Sequence, residues 1–156
     1  MTAHHNELMP VTEAWRVLPE GTIVIRPVEH PIEVWSRVHH WLDRAFDQSD
    51  SLVTAADMFH EIVAKRATLW VIEKDRKPLA TFITRIERGS RAKALNLVAI
   101  GGERMREWLE PFDESFTRYA REQGCKFTCA IGRKGWVRVF GRLGWQPGAA
   151  TMMKVL

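Results

Sequence analysis

The sequence predicts an α/β fold, a single domain built on a mixed β-sheet with helices on both faces. Three observations carry this. Short β-branched or apolar runs alternate with segments whose apolar residues recur every three to four positions, so strands alternate with amphipathic helices. The run Ala94–Ile100 is almost continuously apolar, the pattern of a strand covered on both faces. The short polar link from Glu73 to Lys77 joins two strand-like runs as a hairpin, so antiparallel pairs accompany the parallel pairing that strand–helix–strand connections require. With 156 residues, 46% of them hydrophobic, the chain is long enough to bury a full core.

Residues 1–20 are polar, contain Pro10 and Pro19, and read as an N-terminal arm that Trp15, Val17 and Leu18 would dock on the body or on a partner. The domain proper is residues 21–156. Thr22–Arg26 is a β-branched first strand ended by Pro27. From Pro31 to Asp47 the spacing of Trp35, Val38, Leu42 and Phe46 predicts a helix, with proline in its first turn. A second helix covers Thr54–Lys65, with Ala55, Met58, Phe59, Ile62 and Val63 inward. Strands follow at Thr68–Ile72, Pro78–Ile86 and Ala94–Ile100. The clearest helix is Glu103–Gln123, where Met105, Trp108, Leu109, Phe112, Phe116 and Tyr119 keep the 3.6-residue period. Pro111 inside it removes a backbone donor and predicts a kink, and Gly124 ends it. Lys126–Ile131 is a strand, Lys134–Leu143 a short helix, and Thr151–Val155 a last strand. The expected order is β-α-α-β-β-β-α-β-α-β.

A net charge of +4 permits an anionic ligand without requiring one. Arg133, Lys134, Arg138 and Arg142 form a basic stripe on the last helix, readable as a phosphate contact or as a solvated face. No aromatic residue interleaves with it, which counts against binding of single-stranded nucleic acid. Four residues of strand separate Cys125 from Cys129 by roughly 13 Å. That is too far for a disulfide, so both read as core thiols suited to a reducing cytoplasm. Seven Trp is a high count; large rings at helical spacing read as core, and a surplus reads as a buried interface for a partner. No apolar run approaches a membrane span, and the first residues lack a signal peptide's pattern. His39 and His40, with Asp43 a turn on, lack a third ligand at known spacing; they read as ordinary histidines, and no metal site is expected. Glu87 is a candidate general base by position alone. There is no serine-nucleophile elbow, P-loop or paired-carboxylate signal.

The stretch Leu95–Trp108 places a strand, the pair Gly101–Gly102 and an amphipathic helix in succession, the junction at which many α/β proteins hold phosphate on backbone N–H groups. Together with Gly144–Trp145 at the end of the last helix, and with the order of elements from Thr22 to Leu156, it resembles the GNAT N-acetyltransferases. The strand-Gly-Gly-Glu-helix pattern and the basic, glycine-containing run from Gly132 to Trp145 look most like diverged members encoded by phages and prophages. The resemblance implies a GNAT-like fold, acetyl-CoA as the possible cofactor, and Val98, Ala99, Ile100, Gly101, Gly102, Arg104, Arg133 and Arg138 as its contacts.

The chain departs from that family's pattern twice. The phosphate loop keeps only Gly101–Gly102, followed by Glu103, whose carboxylate itself satisfies a helix N-terminus and repels phosphate. Phe140 stands where the family commonly has the tyrosine that protonates the departing thiolate, and the sole tyrosine, Tyr119, lies on the preceding helix. These departures predict a scaffold that binds a protein partner, phage or host, in the cytoplasm of a bacterial host or in a phage particle. The alternative is an active acyl-CoA-dependent N-acetyltransferase; a weaker one is nucleic-acid binding through the basic helix face. No catalytic residue is assigned.

Overall fold

Asp75 and Arg76, both in the left-handed region at φ 50° and 66°, form the two-residue turn that starts the sheet. They join β2 (Thr68–Lys74) to β3 (Lys77–Arg88), with Lys74 opposite Lys77 and Thr68 opposite Thr84. The computed structural model describes residues 18–49, 51–148 and 152–156; of the expected arm only Leu18, Pro19 and Glu20 are among them. β1 (Ile23–Pro27) adds antiparallel to β2, and Pro27 ends it, as expected, as its last paired residue on the outer edge. β4 (Lys93–Gly102) lies antiparallel on β3, and β5 (Phe127–Ala130) lies parallel on β4. The sheet order is β1-β2-β3-β4-β5.

Both faces of the sheet are covered, as the apolar runs predict. Along β2, Leu69 and Val71 point to one core while Trp70 and Ile72 point to the other. The first core lies under α1 (Pro31–Asp47) and α2 (Ala55–Val63), which contribute Val38, Trp41, Leu42, Met58 and Ile62. The second lies under α3 (Met105–Glu122) and α4 (Lys134–Gly141), with Trp108, Phe112, Phe116 and Phe140 packed on Phe82, Leu95 and Leu97. This is the mixed α/β sandwich that the sequence predicts.

α2 starts at a reciprocal cap. The Asp57 amide donates to the Thr54 hydroxyl at 3.2 Å, and the Thr54 amide donates to the Asp57 carboxylate at 2.9 Å. The hydrogen bond from the Thr54 backbone holds the Asp57 carboxyl below its ordinary value. With a depressed folded-state pKa, the cap works fully above the ordinary aspartate value and is lost as the pH falls through the depressed one. Thr54→Ala is expected to lower stability by about 1 kcal/mol, measured by denaturant titration at neutral pH.

Several expectations are corrected. Residues 152–156 form no strand, and Thr151 lies outside the described residues. Cys129 is exposed and Cys125 half-buried, because β5 is the sheet edge and not an interior strand. Val63 is exposed, since α2 ends there and Lys65 turns left-handed. The surplus of Trp is core: Trp41, Trp70 and Trp108 are buried, and Trp35, Trp136 and Trp145 are half-buried against the two cores. No Trp-rich surface exists among the described residues; Trp15 lies outside them. Pro111 lies inside α3, as expected, where its nitrogen gives no hydrogen bond to the Glu107 carbonyl. Among the described residues no helix is long and apolar enough to cross a membrane.

Candidate functional site

β4 is bonded to β3 along its whole length, from Lys93 opposite Arg88 to Gly102 opposite Ala80. To β5 it is bonded only from Ala94 to Leu97. Beyond Leu97 the two parallel strands part. The register on the β3 side slips at the same point. Ile83 faces Ala99 and Thr84 faces Leu97, so Val98 is the extra residue of a β-bulge. Pairing stops where β5 ends, at Ala130 opposite Leu97, one residue before this bulge, which bends and twists β4. The result is a gap with an unpaired β4 edge, Val98–Gly102, on one side. An unpaired edge accepts an extended chain that carries its own amide groups.

The edge ends at the two glycines, and packing requires both. A Cβ on Gly101 would stand 2.7 Å from the Trp41 carbonyl oxygen of α1. A Cβ on Gly102 would stand 2.3 Å from the Ala80 Cβ and 2.5 Å from the Leu79 carbonyl oxygen. Their first role is to let α1 and β3 approach β4. The Glu103 amide then donates to the Leu79 carbonyl at 2.8 Å, and Arg104, at φ 57°, turns the chain into α3.

The first amides of α3 have no intrahelical acceptor, and the helix dipole leaves partial positive charge there. The carboxylate that answers this charge is Glu107, not Glu103. Glu103 is exposed and serves through its backbone, its carbonyl accepting a 2.7 Å hydrogen bond from the Trp108 indole. Glu107 accepts from Lys74 Nζ at 2.6 Å and is paired with the Arg104 guanidinium. The Lys74 hydrogen bond and the Arg104 charge hold the Glu107 carboxyl below its usual range. The junction therefore carries an internal anion with two cations drawn to it. Sequence reasoning missed this, because Lys74 and Glu107 are 33 residues apart.

α4 forms a wall of the second core. Phe140 is 6% exposed and lies between two indoles, with ring centroids 5.2 Å from Trp136 and 5.0 Å from Trp145. The Trp145 indole donates to Asp113 at 2.9 Å, which fastens the end of α4 to α3.

The structure thus gathers Val98, Ala99, Ile100, Gly101, Gly102 and Arg104 at one junction. Val98 and Ala99 pack toward the α1 and α2 core, and Ile100 toward α3. Arg133 is the N-cap of α4 and Arg138 lies within that helix; both are exposed, and neither makes an ion pair among the described residues. Elsewhere, His39 Nδ1 and Asp43 Oδ2 meet at 2.8 Å on exposed α1 surface. Glu87 is held by Arg85 Nε at 2.9 Å and Asn96 Nδ2 at 3.4 Å. Among the described residues neither group hydrogen-bonds to the edge Val98–Gly102. No cluster of three His, Cys, Asp or Glu side chains suited to a metal occurs among the described residues.

No protein-family model matches the chain, and no curated protein matches it. Solved structures do. A GCN5-related N-acetyltransferase from Ralstonia eutropha is 18% identical over 86% of this chain and 99% of its own, with a TM-score of 0.67. The aminoglycoside N-acetyltransferase AAC(6')-Iy, solved in complex with CoA, is 13% identical over 90% and 98%, at 0.65. A predicted acetyltransferase from Clostridium acetobutylicum, solved with acetyl-CoA, is 11% identical over 86% and 96%, at 0.64. The expectation of a non-catalytic, partner-binding scaffold is corrected by these likenesses. These structures, which share the fold, are themselves described as acetyltransferases, and among the described residues nothing supports the Trp-rich surface on which the scaffold reading leaned. The chain has the fold of the GNAT N-acetyltransferases.

Proposed function

We propose that this protein is an acyl-CoA-dependent N-acyltransferase, with acetyl-CoA as the donor. The observation that carries the reading is the parting of β4 from β5 after Leu97, with the bulge at Val98. An arm with two amides, such as pantetheine, pairs with the bare edge Val98–Gly102 as a missing strand would. Binding at that edge places a thioester beside β4, and the amides at the start of α3 face the phosphates. Acetyl-CoA supplies an activated acyl group. The amine nitrogen bonds to the thioester carbonyl carbon, the carbon–sulfur bond breaks, sulfur keeps the electron pair, and the amine gives up one proton to water. Phe140 has no proton to give, so the thiolate takes its proton from water.

Calorimetric titration tests the reading. Micromolar binding of acetyl-CoA, followed by single-turnover acetylation within an amine panel, is the expected result. No heat at millimolar acetyl-CoA removes the proposal.

Glu107 tunes the affinity. Its carboxylate competes with phosphate for the α3 terminus and engages Arg104 and Lys74. Glu107→Gln is therefore expected to tighten CoA binding about two- to five-fold, the size of one charge at an exposed helix terminus. The same titration checks it, and the gain shrinks at high salt.

A further inference from the structure

The opposite end of the sheet holds a second, basic site. β2 and β3 are antiparallel with Thr68 opposite Thr84. That register sets the residues just before β2, Lys65 and Arg66, beside the residues that end β3, Arg85 and Arg88. Together with Thr68 and Tyr119 they line a half-open cavity of about 240 Å³. Four cationic residues thus line one space. Two are partly neutralised: Arg66 by Glu61, through bonds of 2.8 and 3.2 Å, and Arg85 by Glu87 at 2.9 Å. Lys65 and Arg88 have no ion-pair partner among the described residues. No carboxylate is among the residues that line the cavity; Glu61 and Glu87 pair with two of its four cations, and Glu122 stands near Tyr119.

The fixed geometry also matters. Lys65 sits at φ 61°, a turn held by its amide on the Ile62 carbonyl at 3.0 Å, while the Arg66 amide bonds the Glu61 carbonyl at 2.9 Å. Tyr119 is held edge-on against Trp70, with centroids 4.8 Å apart. Burial pushes its phenol above the ordinary value, with Cys125 and Glu122 adding to the shift. The phenol is therefore a hydrogen-bond donor at neutral pH.

We infer that this cavity binds a doubly charged phosphoryl group, on inorganic phosphate or on a small phosphomonoester, through Lys65, Arg88 and the Tyr119 hydroxyl. Arg66 and Arg85 supply additional charge. Arginine and lysine around a small polar recess are the donors that phosphate recognition uses. The site is distinct from the proposed cofactor gap. Fourteen residues of α3 separate Met105 from Tyr119, about 21 Å of helix.

Amide NMR of the full chain tests this with inorganic phosphate and with glycerol 2-phosphate. Sodium chloride at matched ionic strength is the control. The expected result is saturable shifts at residues 65–68 and 85–88, with a dissociation constant on the order of 1 mM or tighter. The tighter of the two probes identifies the source of the phosphoryl group. Lys65→Ala and Arg88→Ala, both exposed positions, are expected to weaken binding about ten-fold or more each, and Tyr119→Phe several-fold, with the rest of the spectrum unchanged. Equal shifts with chloride, shifts confined to residues 98–106, or full binding by the double variant overturn the inference. The readout needs no acetyl-CoA, so failure of the cofactor proposal leaves it standing.

Discussion

Replacing Gly102 with alanine is expected to destabilise the fold by about 3 kcal/mol, at the upper end of what overpacking costs. The atoms in the way are the Cα and Cβ of Ala80 and the carbonyl oxygen of Leu79, none of which belongs to a flexible side chain end. They cannot yield cheaply. Ala80 is fully buried and sits opposite Ile72 on β2, and the Leu79 oxygen holds the Glu103 amide. Relief requires pulling the end of β4 off β3. Gly135→Ala is the matched control, since a Cβ there meets nothing within 4 Å. In a helix it is neutral or stabilising, by at most about 1 kcal/mol. Denaturant midpoints of the two variants separate the roles of the glycines. If Gly102→Ala unfolds at the parent's midpoint yet loses acetyl-CoA, the glycine serves ligand approach and the packing argument is wrong.

That contrast marks what the sequence makes legible. The helices of residues 31–47 and 105–122 are readable because a buried face recurs at the helical period and Pro31 or Gly124 punctuates the ends. Both covered faces of the sheet are readable in the buried run Leu69–Ile72 of β2 and the nearly continuous apolar run Ala94–Ile100 of β4. The pair Gly101–Gly102 is visible as a junction, but its cause is not. Trp41 and Ala80 meet those glycines from 60 and 22 residues away, and no local pattern announces such an approach. The same holds for Glu107. Glu103, next to the glycines, is the obvious carboxylate, yet the carboxylate that engages the terminus is chosen by Lys74 across the sheet. The bulge at Val98 is hidden for another reason. Strand parting depends on where β5 ends, a tertiary outcome of a four-residue strand. The strand expected at 151–155 shows the limit of composition, since β-prone residues form a strand only when an edge receives them.

Phe140→Tyr is expected to raise the rate of acetyl transfer by about ten-fold or more, if the thiolate's protonation limits turnover. A positioned general acid is worth about 10² to 10⁴, and part of that is forfeited by a site not shaped around a hydroxyl. The ring's position is well fixed, stacked between Trp136 and Trp145 and packed on Phe112. The added oxygen therefore has few places to go. At 6% exposure, it costs about 1 to 3 kcal/mol of stability where it finds no partner. The two effects are separable. A rise in kcat that falls away as the pH climbs toward the phenol's pKa, about 10, marks a proton delivered by the new tyrosine. A lower Tm with unchanged kcat means that the hydroxyl is buried away from the sulfur. In that case the parent's use of water at this step is set by the geometry of α4, and not merely by the loss of one oxygen atom.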